Sequence, residues 1–405
     1  MRIALVYDAI YPWATGGAER RFAEIGRRLA THHEVHLVGW QWWDGPARVE
    51  RDGMILHGLG RAPALYGSDG KRTVREAVGF TARLLPFLLR HRFDVVDCSA
   101  TPYLPPYAAA IGRRLRGGRL VVTWHEFWDG HWDEYLPHRP IVARVARALE
   151  SGGRRIGDRV VAVSEFTARA MGMAGDPRLD VVGNGVDVSA LGSAPPMPSG
   201  SDVIFIGRLI DEKQVDVLLE ALAQLRAEGR RVTATIVGDG PEMGTLQRLA
   251  GELGVDDTVT FTGRLPDVEV VRHLRAARLL VMPSMREGYG MAVAEAQAAG
   301  TVPIVARSPF SGATDLVRDD LDGAIVEPTA GSLAAAIGEL LADQGRLERL
   351  SGAARATGAA RDWDAVAARM ERVYLGQPAG VEAKPEPAVV AADHSQQPAG
   401  SLPWS

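Results

Sequence analysis

Leu279-Leu280-Val281-Met282-Pro283-Ser284-Met285-Arg286-Glu287-Gly288-Tyr289-Gly290-Met291-Ala292-Val293-Ala294-Glu295-Ala296 reads as a strand, a glycine loop and the first turns of a helix. The apolar run Leu279 to Met282 has the length and composition of a buried strand. Gly288 and Gly290 let backbone N–H groups approach an anion at the amino terminus of the helix that follows. Two glutamates flank this turn, Glu287 on the loop and Glu295 inside the helix. Buried carboxylates need donors, and ligand hydroxyls would supply them. The alternative is a pair of capping or salt-bridging glutamates around a glycine turn.

Outward from this stretch the same alternation repeats. Strands are expected at Val203 to Ile206, Val232 to Val237, Val259 to Thr262 and Val302 to Val305, with helices between them. A Pro/Gly/Ser-rich stretch, Gly192 to Ser201, precedes this series and reads as a linker. Before it lies a first series: Ile3 to Tyr7, a helix over Ala18 to Ala30 with Phe22, Ile25 and Leu29 at helical spacing, then Val35 to Val38, Phe93 to Val96, Leu120 to Thr123 and Val160 to Val163. The fold class expected is α/β, two doubly wound parallel sheets in tandem with a cleft at the carboxyl ends of their strands. Domains are expected over 1–186 and 187–361, with a last helix in 362–376. The Pro/Ala/Gly-rich segment 377–405 reads as a disordered tail, or as a docking peptide ending in Leu402-Pro403-Trp404.

Composition narrows the function. A chain of 405 residues exceeds one ordinary core, and 46% hydrophobic with 24% charged residues is a globular balance. A net charge of −4 gives no broad basic surface for nucleic acid. With Cys98 as the only cysteine no intramolecular disulfide can form, and the thiol reads as buried and structural. A cytoplasmic protein is expected, since no signal-like or membrane-spanning apolar run is present.

Two further places suit an anion. Gly16-Gly17 lies between the first strand and its helix, followed by Glu19 and Arg20, and matches neither the dinucleotide fingerprint nor a P-loop. Gly207-Arg208 ends a strand and Lys213 starts the next helix. Converging on one diphosphate, each cation would contribute about 4 kcal/mol at contact in an effective dielectric near 20, enough to hold a leaving diphosphate without a metal. Otherwise they are surface cations beside Asp211 and Glu212.

Taken together, Gly16-Gly17, His125 after a strand, Val163-Ser164-Glu165, Asn184-Gly185-Val186-Asp187, Gly207-Arg208 with Lys213, Gly238-Asp239-Gly240-Pro241 and the paired Glu287 and Glu295 resemble the retaining glycosyltransferases of family 4. The resemblance covers about 1 to 376 and implies the GT-B fold, two Rossmann-like domains with a crossover helix, Trp363 to Leu375, returning to the first. It implies that Arg208 and Lys213 bind the diphosphate of a nucleotide-sugar donor, that Glu295 binds its ribose and that Glu287 meets the transferred sugar. Gly16 and Gly17 would close over the phosphates, with His125 beside the reacting sugar. Gly207, Gly238, Gly263, Arg264, Gly288, Tyr289, Gly290 and Met291 complete the expected donor site; recognition of the base by backbone around Gly263-Arg264-Leu265 would leave UDP-, GDP- and ADP-sugars unseparated. Retention by front-face attack, no metal and no cofactor are implied as well. The family's usual glycine pair and glutamate appear here as Ser311-Gly312-Ala313-Thr314-Asp315, so the contacts of that loop do not carry over.

His125-Glu126-Phe127-Trp128-Asp129 lacks the second histidine of a zinc protease motif, and Asp129, His131, Asp133, Glu134 and His138 read as a hydrophilic loop as readily as a metal site. Six of nine tryptophans, Trp40, Trp42, Trp43, Trp124, Trp128 and Trp132, lie between Trp40 and Trp132. Trp124 and Trp128 are expected to bind a carbohydrate, lipid-linked or small organic acceptor, with core packing as the alternative. The stretch Lys71 to Arg92 carries five arginines around Phe80, Leu84, Leu85, Phe87 and Leu88, with Pro86 expected to kink it. It suits peripheral association with the inner face of a membrane, or a stripe buried on the sheet; Arg113, Arg114, Arg116 and Arg119 add a second basic segment. Rival functions are a nucleotide-sugar epimerase or phosphorylase on the same plan, and a non-catalytic nucleotide-sugar-binding protein.

Overall fold

The computed structural model describes residues 1–65, 73–136 and 138–380. The described residues contain two large sheets. The first is built from β1 (Arg2–Val6), β2 (Glu34–Gln41), β3 (Arg48–Arg51), β4 (Met54–Arg61), β5 (Val95–Ser99), β6 (Arg119–Trp124), β7 (Arg159–Ala162) and β8 (Leu179–Val181), in the order β3-β4-β2-β1-β5-β6-β7-β8. The second takes β9 (Val203–Ile206), β10 (Ala234–Val237), β11 (Val259–Gly263), β12 (Leu279–Met282), β14 (Val302–Ala306) and β16 (Ala324–Val326), in the order β11-β10-β9-β12-β14-β16. Short β13 (Arg286–Glu287) pairs separately with β15 (Phe310–Ser311). Within the two large sheets every neighbouring pair is parallel except β3 with β4.

Helices cover the sheets, so the central strands are buried on both sides and their sequences are nearly unbroken apolar runs. All residues of β12 and β14 are buried. Strand order reverses between β1 and β5 in the first sheet and between β9 and β12 in the second. At such a reversal the loops leaving the two central strands diverge and open a crevice. Those loops carry Gly16-Gly17, Gly207 to Lys213 and residues 283–290, which is why residues distant in sequence share one cleft.

One hydrophobic core underlies each sheet. The closing helix Trp363–Tyr374 belongs to the first: Trp363, Met370, Val373 and Tyr374 are buried together with Ile3, Leu5 and Val96. It follows the whole second sheet in sequence, so the chain returns to where it began.

Several expectations need correcting. Sequence reading passed over the β3–β4 hairpin, although Asp52 and Gly53 both take positive φ, 52° and 77°, as its tight turn requires. The helix Val74–Arg90 runs through Pro86 without ending, and its stripe Phe80, Leu84, Phe87 and Leu88 is buried in the core, so that stripe is unavailable to a membrane. Lys71 and Arg72 lie outside the described residues. Residues 377–380, expected within the tail, are held in place: Ala379 is buried and its N–H donates to Asp180 at 2.8 Å. Residues 381–405, with Leu402-Pro403-Trp404, lie outside the described residues. No helix among the described residues is long and apolar enough to cross a membrane.

Candidate active site

Lys213 ends a single helical turn, Asp211–Lys213, just after β9. Its ammonium donates to Glu287 Oε1 at 2.5 Å and lies 3.4 Å from the Arg286 carbonyl, with both side chains largely buried. Arg208 is exposed at the end of the same strand. After Glu287 the chain makes two moves that depend on glycine. A side chain at Gly288 would begin 2.2 Å from the carbonyl oxygen of His125, so the second half of the molecule presses directly on the backbone of the first. Gly290, at φ 99°, then opens the helix Met291–Ala299 in a conformation other residues rarely adopt. Between them Tyr289 donates its hydroxyl to the Asn184 carbonyl at 2.8 Å. Gly238 supports the same region by donating its N–H to Gly263 at 2.9 Å and packing on the Gly207 carbonyl.

From the first sheet, His125 follows β6 immediately. Its ring packs beside Tyr7 and Phe22, centroids 6.3 and 6.0 Å away, and its Nε2 is buried without a partner. Burial pushes its pKa down to about 3, so the imidazole is neutral at physiological pH. Glu126 beside it is pushed up by burial, opposed by a hydrogen bond from Trp128 and by the charges of Arg286, Lys213 and Arg208. It is therefore the carboxylate that the first half sets against the cations of the second. Arg286 also lies over the Trp128 ring, 4.5 Å from its centroid. Fully buried Glu150 holds this loop, accepting from Trp128 N at 2.7 Å, Trp132 Nε1 at 2.9 Å and Tyr103 OH at 3.0 Å. Ser164 caps its own helix and donates to the Gly288 carbonyl at 2.8 Å.

The glycine loop reaches across the cleft at its other end. Thr15 accepts from Arg264 at 2.5 Å, Tyr11 donates to Asp267 at 3.0 Å, and Arg20 pairs with Glu295 at 2.8 Å. A side chain at Gly17 would touch Met291 at 3.3 Å. The helix carrying Gly17 and Arg20, Gly17–Leu29, is fixed by buried Arg21, which donates to the Gly183 carbonyl at 2.6 Å and to Asn184 Oδ1 at 2.9 Å.

Of the residues singled out from sequence, Lys213 and Glu287 meet directly, Gly288 meets His125, Gly17 meets Met291, and Arg264 and Glu295 are engaged by the glycine loop and its helix. Trp124 is a correction: at 1% exposure it is packed among Tyr103, Phe127 and Gly153, and no face is open to an acceptor. Trp128 is half-buried, under Arg286 and beside Trp132. In the hydrophilic loop, His131 packs edge-on against Phe310 and Asp133 pairs with Arg147. Among the described residues no three His, Cys, Asp or Glu are grouped to hold a metal. The Ser311 to Asp315 segment has a definite task, since Asp315 accepts from Phe166 N at 2.7 Å and pairs with Arg169 at 2.8 Å across the cleft. Sequence reading assigned no role to Arg20, Glu126, Glu150 or Arg286. Arg20 and Glu126 adjoin recognised motifs, but nothing in the sequence says which charge across the cleft each one faces.

Two doubly wound sheets that face each other through their reversal points define a GT-B architecture. In keeping with it, the chain superimposes on sucrose-phosphate synthase from Thermosynechococcus elongatus with a TM-score of 0.77 at 19% identity, covering 93% of this chain and 98% of that one. Residues 198–357 match the family model for group 1 glycosyl transferases, and residues 15–190 the model for glycosyltransferase family 4. The GDP-mannose-dependent alpha-(1-6)-phosphatidylinositol monomannoside mannosyltransferase of Mycobacterium tuberculosis is 32% identical over 409 residues, 93% of this chain and 99% of that protein. The D-inositol 3-phosphate glycosyltransferase of Nocardia farcinica is 37% identical over 230 residues, which span 51% of this chain and half the length of that protein. The chain belongs to the group 1, family 4 glycosyltransferases.

Proposed function

We propose that this enzyme transfers a glycosyl group from a nucleotide-diphosphate sugar to a hydroxyl of a carbohydrate, lipid-linked or small organic acceptor, with retention at the anomeric carbon and without a metal. The observation that carries this reading is the pairing of Lys213 with Glu287 at the reversal point of the second sheet, pressed through Gly288 against His125 of the first. An arriving diphosphate would draw the Lys213 ammonium toward itself, with exposed Arg208 as the second cation, and leave Glu287 to accept from sugar hydroxyls. Gly16 and Gly17 would cover the phosphates, Gly207, Gly238, Gly263 and Arg264 would line the nucleoside, and Glu295 would accept from the ribose. In the transfer itself the anomeric carbon parts from the diphosphate oxygen while the acceptor oxygen bonds to it from the same face. The acceptor's proton passes to the departing phosphate, whose charge Arg208 and Lys213 offset. Neutral His125 can share a hydrogen bond with the reacting sugar but cannot serve as a cationic acid.

The first relatives to test for donor choice are GDP-sugars, because the Mycobacterium tuberculosis protein is named as GDP-mannose-dependent. The unit boundary at 186/187, the return of 362–376 to the first unit and a cytoplasmic home are parts of the same proposal. Calorimetric titration with UDP, GDP, ADP, CDP and TDP, each with and without chelator, is the test. One preferred diphosphate bound equally well with chelator supports a metal-independent donor site. If folded protein binds none of them, the reading fails.

A further inference from the structure

Glu295 sits on the helix Met291–Ala299 of the second half, yet the cation that holds it comes from the first. Arg20 Nη1 donates to Glu295 Oε1 at 2.8 Å, with the two side chains 24% and 17% exposed. The helix that carries Arg20 is anchored one residue further along, where Arg21 is tied to Gly183 and Asn184. The contact closes a set of three across the cleft, with Thr15 to Arg264 and Tyr11 to Asp267. A carboxylate accepts strongly only while ionised. Burial pushes the Glu295 carboxyl up, the Arg20 charge pulls it back, and Asp267 pushes it up again; Asp267, Glu24 and Tyr11 act with Glu295 on the Arg20 charge.

Resting on the donor reading above, we propose that Arg20 is a positioning residue for the ribose of the nucleotide. It holds and orients Glu295 through Oε1 from the opposite half of the cleft, leaving Oε2 to accept the ribose hydroxyls. Ribose recognition is then complete only when the two halves are together, whereas the two cations that hold the bare diphosphate, Arg208 and Lys213, both lie in the second half. Arg20 thereby couples closure to the presence of a nucleoside.

The test is calorimetric binding of GDP and UDP, their 2′,3′-dideoxy forms and inorganic pyrophosphate to wild type, Arg20→Ala, Arg20→Gln and Arg20→Lys, repeated from neutral to mildly acidic pH. Arg20→Ala is expected to lose about tenfold or more in affinity for the ribose-bearing diphosphate, the scale of a charge-assisted hydrogen bond, and to lose its preference over the dideoxy form. Pyrophosphate affinity stays unchanged, Arg20→Lys recovers part of the loss, and Arg20→Gln, which keeps a donor without the charge, does not. The acid-side fall in nucleotide affinity also moves to higher pH in Arg20→Ala, because Glu295 then protonates more readily. Equal weakening of nucleotide, dideoxynucleotide and pyrophosphate binding would reduce Arg20 to a structural clasp, and tighter nucleotide binding would make it a mere competitor for Glu295; either result overturns the proposal. Failure of wild type to bind any nucleoside diphosphate is a separate outcome that overturns the donor reading itself and this proposal with it.

Discussion

Lys213 with Glu287 and Arg20 with Glu295 each set a cation against a carboxylate at the cleft. Arg208→Ala and Lys213→Ala are expected to weaken nucleoside diphosphate binding about tenfold or more while leaving nucleoside binding nearly unchanged, measured by calorimetry; equal losses would remove both from the phosphate site. Glu287→Ala frees Lys213 from its ion pair, so diphosphate binding is retained while transfer drops. Unchanged turnover in that variant would exclude Glu287 from the reaction. A histidine cluster far along the sequence from these residues is expected to contribute to acid sensitivity. His36 Nδ1 lies 2.8 Å from His57 Nε2 and His36 Nε2 lies 2.9 Å from Glu34, an arrangement satisfied when His57 donates to His36 and His36 to Glu34. Burial, then the charges of His36, His91, Arg48 and Arg2, push His57 down from 6.5 to about 4. The unfolded chain therefore takes up this proton first, so the stability it contributes is present above pH 6.5 and is lost as pH falls toward 4. Buried Asp97, raised from 3.8 to about 6, works the other way, its contribution being lost as pH rises through that range. Urea unfolding across this range should show a shallower acid-side loss in His57→Gln, which keeps a donor but cannot titrate. An unaltered slope would clear the cluster of this role.

At the level of elements, the segment after β6 depends on a carboxylate from another helix. Glu150, in the helix Pro140–Gly153, collects donors from Tyr103, Trp128 and Trp132 in a fully buried position. Glu150→Ala strands these donors and is expected to cost roughly 2–5 kcal/mol in urea unfolding. Glu150→Gln, still able to accept, should cost less; equal stability of all three proteins would show that the network carries no weight. Most elements were legible because a parallel strand buried on both faces has to be an apolar run and its helix has to keep a 3.6-residue stripe. The β3–β4 hairpin escaped because its strand Arg48-Val49-Glu50-Arg51 is polar and lies at the sheet edge, where burial sets no pattern. Asp52-Gly53 was the available clue. Trp124 was misread for a related reason: an aromatic at the end of a strand can point into the core or into the cleft, and sequence spacing does not separate the two.

Across the whole molecule, the halves meet through contacts at both ends of the cleft. Arg20, Thr15 and Tyr11 close one end, and Ser164 with the Arg169–Asp315 pair closes the other. Arg169 is 58% exposed, so its ion pair adds little to folding stability, about 0–1 kcal/mol. Its effect should appear in the balance between open and closed forms. Asp315→Ala is expected to enlarge the radius of gyration of ligand-free protein in small-angle scattering with almost no change in melting temperature. An unchanged radius would place the holding force elsewhere, with Gly288 against the His125 carbonyl as the next contact to test.

The sequence by itself determined the two α/β halves, the family resemblance and the loops that carry Lys213, Glu287 and Glu295, because strand periodicity, glycine turns and motif order are local properties of the chain. Tertiary structure alone decided that Trp124 is core, that Asp315 ties the halves together, that Glu126 faces three cations, and that Arg20 meets Glu295 from 275 residues away. Those outcomes depend on how two separately wound sheets face each other. A partner across a cleft leaves no periodic trace in either segment, since only the meeting of the two folded halves selects it.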